Sequence, residues 1–163
     1  MVSRRKINEE GHKRKFLAVV DGTPECGKAV LYAGRRAQKT GGALVLLFVI
    51  PPGDFQHWIG VEEIMRAEAR EEAEKALDKM ALFARSSANI DPELSIREGM
   101  TREEVHSLIE EDPDIGLLVL AAGEGKEGPG PLVSSIAGRG AAFPIPVVVV
   151  PSNLSDEEIE ALT

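Results

Sequence analysis

The chain has 163 residues, of which 43% are hydrophobic and 4% aromatic, and its formal net charge is −8 at pH 7. This length and composition predict one domain with an aliphatic core, and the acidic charge disfavours nucleic acid as a partner because its phosphates would be repelled. Since no apolar run is long enough to cross a bilayer and no signal peptide opens the chain, we expect a cytoplasmic protein without a membrane partner.

The N-terminus has a different charge from the rest. Residues 1–15 contain six basic and two acidic side chains, a net charge of +4, which leaves −12 for the remainder. We predict a basic, disordered leader over residues 1–14, a folded domain over 15–151, and a tail or short helix over 152–163. The single cysteine, Cys26, excludes an internal disulfide and fits a reducing compartment.

The first half of the chain begins with an apolar run. Residues 16–20 predict a buried strand that ends at the turn Asp21-Gly-Thr-Pro, where Thr23 is placed to cap a helix that runs to about Lys39. A second buried strand follows over residues 43–50.

The middle of the chain is predicted to be mainly helical. Apolar residues spaced by three or four predict a long helix over 61–88, and the alternating run 93–97 predicts an edge strand. Thr101 and Glu104 form a capping-box pattern at the start of the next helix, which ends before Pro113.

The last third of the chain contains two apolar runs and a glycine-rich loop. Residues 115–120 and 147–150 predict buried strands, and a helix of about residues 132–143 lies between them. Ser155 is placed to cap a short C-terminal helix. The alternating order of strands and helices predicts an α/β fold in three layers, with a five-stranded parallel sheet between helices on both faces.

Two features follow the ends of predicted strands, where such folds bind ligands. Asp21 ends the first strand, and four glycines lie between Gly123 and Gly130, including Gly125, after the fourth. These glycines can turn backbone N–H groups toward one point, and Ser134 and Ser135 are placed where hydroxyls would open a helix. The pattern predicts an anion site, although any α/β protein needs a loop at this place.

Several stretches together resemble a universal stress protein domain over about residues 15–151. They are Phe16-Leu-Ala-Val-Val-Asp-Gly-Thr-Pro24, the strand Leu44 to Pro52, Arg97-Glu-Gly99 and Phe143-Pro-Ile-Pro-Val-Val-Val-Val150. The resemblance implies the adenine nucleotide alpha hydrolase-like fold with strand order 3-2-1-4-5, a homodimer, and in many members a bound ATP. It also implies that Asp21 lies by the adenosine and that Val49 meets adenine through its backbone.

The phosphate motif of that family, Gly-x2-Gly-x9-Gly-Ser/Thr, is degenerate here. Alignment on the strand end places Ala121, Glu124 and Ser134 at the glycine positions and Ser135 at the hydroxyl. A literal glycine spacing at Gly125, Gly128 and Gly138 puts Arg139 in place of the hydroxyl, and we interpret it as coincidental. Bound ATP with Mg²⁺ and no cofactor at all therefore both stay open.

The sequence contains no pattern for a resident metal site or for catalysis. His12, His57 and His106 are far apart, and no nucleophile stands beside a base in a known motif. We predict a regulatory or stress-adaptation protein that acts by binding, with an adenine-nucleotide crevice. The alternatives are a dimeric module that works through its surfaces alone, for an unknown protein client, and a slow ATPase.

The last predicted strand is a candidate surface for association between two copies of the chain. Val147, Val148, Val149 and Val150 form an apolar strand that lies at a sheet edge in the expected topology. An uncovered apolar edge favours association. Two copies related by a two-fold axis would cover both edges, so we predict a homodimer through this strand.

Overall fold

The structure, a computed structural model, describes residues 4–53, 59–123, 130–137 and 143–163, without the side chains of 59–61, 131 and 137. Five strands alternate with helices. In chain order the elements are β1 (Lys15–Val19), α1 (Cys26–Thr40), β2 (Ala43–Ile50), α2 (Ile59–Ala88), β3 (Glu93–Glu98), α3 (Thr101–Glu111), β4 (Ile115–Ala121), α4 (Pro131–Ala137), β5 (Val147–Val150) and α5 (Asp156–Leu162).

All five strands form one parallel sheet in the order β3-β2-β1-β4-β5. Leu17 of β1 lies in register with Val45 of β2 on one side and with Leu118 of β4 on the other. The predicted α/β fold and strand order are therefore confirmed. Since β1 and β4 are direct neighbours, the residues that follow these two strands meet at one edge of the sheet.

Each face of the sheet packs against its own helices. On one face, Ala18 and Leu46 belong to a core with residues of α1, α2 and α5. On the other face, Leu17 and Leu118 belong to a core with residues of α3 and α4. Alternate strand residues point to opposite faces, so the continuous apolar runs supply both cores, which explains why they lack polar residues.

Two predicted helix caps are wrong. The Thr23 hydroxyl donates to Asp21 Oδ1 at 2.5 Å rather than capping α1, whose N-cap is Glu25. Thr101 is already the first residue of α3, and the N-cap, Met100, forms no side-chain cap. In both places a nearby carboxylate determines the local structure: Asp21 holds the turn, and Glu104 pairs with Arg97 of β3 at 3.8 Å.

The N-terminal segment contacts the body of the domain. Arg5 Nη1 donates to the backbone oxygens of Ile109, Asp112 and Ile115 at 2.7–3.2 Å, which joins it to the C-terminal end of α3 and the start of β4. His12 Nδ1 lies 2.7 Å from Asp114 Oδ1. Residues 4–14 therefore differ from the disordered leader expected from their charge, because free carbonyls at a helix end are good partners for basic side chains.

The opposite terminus forms the short helix α5. Ser155 caps it as predicted, with its hydroxyl accepting a bond from the amide of Glu158 at 3.1 Å. Ile159 of α5 is fully buried in the first core. Across the described part of the chain, no helix has the length and apolar character that a membrane span needs.

Candidate functional site

A cavity of about 500 Å³ lies at the carboxyl ends of β1 and β4. Its size falls in the range of about 300–1,000 Å³ typical of small-molecule pockets. Val19 of β1 and Leu120 and Ala121 of β4 contribute the strand residues of its lining. The remaining lining comes from the β1–α1 loop, the start of α1, the start of α3, and residues before and within α4. These are Asp21, Thr23, Glu25, Cys26, Met100, Thr101, Arg102, Gly123, Gly130, Leu132, Val133 and Ser135.

Asp21 lines this cavity and organises its first loop. Oδ1 accepts from both the backbone N–H and the hydroxyl of Thr23, at 3.0 and 2.5 Å. No described residue donates to Oδ2. One carboxylate oxygen thus holds the turn, and the other remains an acceptor for a ligand group that carries hydroxyls or amines.

The glycine-loop side of the cavity only partly follows the prediction. Gly123 and Ser135 line the cavity, whereas Ser134 is exposed and does not. Helix α4 begins at Pro131, so Ser134 lies inside the helix rather than at its N-cap, and its amide donates to Gly130 O at 3.0 Å. Proline at a first helical position was the local signal for this earlier start. Gly125 lies outside the described residues.

Val49 does not line the cavity. It is 8% exposed, it packs in the core on the α3 face, and it is in register with Arg97 of β3. The cavity lies over β1 and β4, and Val49 is on β2, beyond β1. Its backbone contact with adenine therefore stays a prediction.

The start of α3 forms a wall that the sequence analysis missed. Met100, Thr101 and Arg102 all line the cavity. The missed signal was the topology itself, because α3 crosses from β3 at one edge back to β4 and must begin at the carboxyl end of the sheet. Arg102 is partly buried, and no described carboxylate pairs with it.

Ion pairs hold this wall to the sheet. Arg97 Nη1 lies 3.8 Å from Glu104 Oε1 of α3, and Arg97 Nη2 donates to Glu111 Oε2. The hydrogen bond and the positive charge of Arg97 lower the pKa of the Glu111 carboxyl. Gly99 has φ +151° and lies against the Glu104 side chain. Any residue with a Cβ at this position would place that atom 2.9 Å from Glu104 Oε2, so glycine leaves room for the carboxylate. Both ends of α3 are thus tied to β3 or its loop.

Cys26 lines the cavity at the start of α1 and is 5% exposed. Burial raises the pKa of the Cys26 thiol, although backbone hydrogen bonds from Asp21 and Gly22 oppose the shift. The thiol is therefore protonated at neutral pH and a poor nucleophile. Within the described residues, no group of three or more His, Cys, Asp or Glu side chains could hold a metal ion.

The sequence profile described as the Universal stress protein family matches residues 13–151. The chain belongs to this family. No individual curated protein sequence matches the chain.

Solved structures of universal stress proteins have the same fold. UspA from Lactobacillus plantarum is 21% identical with a TM-score of 0.69, over 84% of this chain and 97% of that one. A universal stress protein from Archaeoglobus fulgidus in complex with dAMP is 14% identical with a TM-score of 0.56, over 91% and 98%. One from Arabidopsis thaliana with AMP bound is 15% identical with a TM-score of 0.59, over 88% and 94%.

Proposed function

We propose that this universal stress protein binds an adenine nucleotide in the cavity at the ends of β1 and β4, and that it acts by binding rather than by turnover. The observation that carries the proposal is that Asp21, whose Oδ2 accepts no hydrogen bond from a described residue, lines a mostly apolar cavity of about 500 Å³. An apolar chamber with a few placed polar groups suits a flat base with a hydroxylated sugar.

Two of the similar solved structures support an adenine nucleotide as the ligand. The Archaeoglobus fulgidus and Arabidopsis thaliana proteins hold dAMP and AMP, and both have this fold. We infer that occupancy of the cavity changes the contacts of the protein with a client in stress adaptation. The single cysteine fits a reducing compartment, so we place the protein in the cytoplasm.

The variant Asp21→Asn tests the site. It keeps Oδ1, and with it the turn to Thr23, but replaces the acceptor Oδ2 by an NH₂ donor. Loss of a charged hydrogen bond to the ligand costs about 1.5–3 kcal/mol. We therefore expect the affinity for AMP and adenosine, measured by calorimetry, to fall by about tenfold or more.

The matched control is Asp78→Asn, which removes an exposed carboxylate on α2 away from the cavity; we expect its affinity to equal that of the wild type. If AMP, adenosine and ATP with Mg²⁺ all fail to bind the wild type, the proposal is wrong and the surface-only alternative replaces it. Release of phosphate from ATP would instead support the slow ATPase.

We also propose a homodimer through β5. This strand pairs with β4 on one side, and no described strand pairs with its other side. Val149 is 41% exposed, and it lines an apolar groove of about 310 Å³ with Phe143, Ile145 and Val147. A second copy of β5 would complete the hydrogen bonds of the edge and cover this groove.

The variant Val149→Lys is expected to weaken the dimer, because a charged side chain would replace an apolar one in the groove that the second copy covers. We expect the mass measured by light scattering at micromolar concentration to shift from two chains toward one. Leu162→Lys, at a 63% exposed position on α5, is the matched control and should leave the mass unchanged. A wild-type mass of one chain would contradict the proposed dimer.

A further inference from the structure

The charges in the cavity lining are separated between two elements. Asp21 and Glu25 belong to the β1–α1 loop, and Arg102 belongs to α3. Arg102 is the only cationic side chain in the described lining. A ligand that fits this pattern has hydrogen-bond donors for the carboxylates and an anionic group for the guanidinium.

The described residues on the glycine-loop side of the cavity offer an anion few hydrogen-bond donors. Pro131 has no N–H, the amide of Ser134 is taken by Gly130 O, and the Ser134 side chain is exposed. Within the described lining, the donors left there are few and uncharged. The strongest described partner for a phosphate group is therefore Arg102, on another wall.

Arg102 also lacks the carboxylate partner that several other described arginines have. Arg70, Arg85 and Arg97, for example, each pair with a carboxylate. No hydrogen bond or ion pair joins Arg102 to any described residue. A guanidinium in a partly buried cavity without a carboxylate is available for bidentate binding to phosphate oxygens.

We propose that Arg102 binds the phosphate group and that the cavity selects a nucleoside monophosphate. This inference rests on the proposed nucleotide site and adds the residue and the number of phosphates. One phosphate matches one guanidinium. The β- and γ-phosphates of ATP would bring further negative charge into a lining that already contains two carboxylates, so they add no affinity.

The test compares adenosine, AMP and ATP in the wild type and in Arg102→Gln. We expect the wild type to bind AMP about 10- to 100-fold more tightly than adenosine, as a charged hydrogen-bond pair allows, and ATP no more tightly than AMP. Arg102→Gln should abolish the preference for AMP and leave the adenosine affinity unchanged. Arg70→Gln, on an exposed part of α2, is the control and should retain the preference.

The outcomes separate the two proposals. If Arg102→Gln keeps the preference for AMP, the phosphate binds elsewhere and the inference is overturned, while nucleotide binding stands. ATP binding more tightly than AMP overturns the selection of a monophosphate. Failure of the wild type to bind all three ligands overturns the nucleotide site and this inference with it.

Discussion

Replacing Leu118 with alanine is expected to lower the free energy of unfolding by about 3 kcal/mol, within the range for buried leucines. Leu118 lies in the middle of β4, is fully buried, and is in register with Leu17 of β1 and Val147 of β5. The neighbouring strands are tied by hydrogen bonds on both sides, so the backbone cannot move in to fill the space. Urea denaturation of the two proteins measures the difference.

Leu82→Ala is the matched control for this prediction. Leu82 is 64% exposed on α2, and alanine is a good helix former there, so we expect a change within about 0.5 kcal/mol. A loss below 1 kcal/mol for Leu118→Ala would mean that the core between α3 and β4 repacks freely, contrary to the burial described above.

The second large effect is expected for Gly42→Ala, at about 2 kcal/mol of lost stability, because the added methyl group overpacks a tight junction. An ideal Cβ on Gly42 would stand 2.5 Å from Arg14 O. That carbonyl accepts from the amide of Ala43 at 2.9 Å, at the start of the β1–β2 pairing. Relief of the clash would therefore lengthen a hydrogen bond that sets the register of two central strands.

The variant Gly41→Ala is the comparison that distinguishes the steric clash at Gly42 from the cost of a left-handed backbone conformation. Gly41 caps α1 at φ +69°, and nothing lies within 4 Å of a Cβ there. Alanine at such a left-handed position costs about 1 kcal/mol. Thermal or urea unfolding should rank Gly42→Ala below Gly41→Ala in stability. The reverse order would show that backbone conformation, and not the contact with Arg14, limits this turn.

Local patterns failed where a residue outside the pattern took over a side chain. The capping box at Thr101 is a sound local pattern, but Glu104 pairs with Arg97, which arrives from β3. The basic leader looked solvated because nothing near it in sequence is its partner. The carbonyls that bind Arg5 belong to residues more than a hundred positions away.

The candidate site also contains residues that the sequence predicts and one that only the fold reveals. Asp21, Gly123 and Ser135 could be predicted because each follows a strand end, and parallel strands place such residues at one edge. Arg102 could not, because an arginine in the first turn of an ordinary helix has no local mark of function. Only the crossing of α3 over the sheet brings it into the same cavity.

By itself, the sequence determined the strands, the alternation with helices, and the edge of the sheet where a ligand would bind, since these follow from apolar periodicity and chain order. The tertiary structure decided which side chains line the cavity, where the N-terminal segment packs, and that Arg102 enters the cavity lining without a described carboxylate partner. Those properties depend on contacts between residues far apart in the chain, and the periodicity of a single segment contains no information about them.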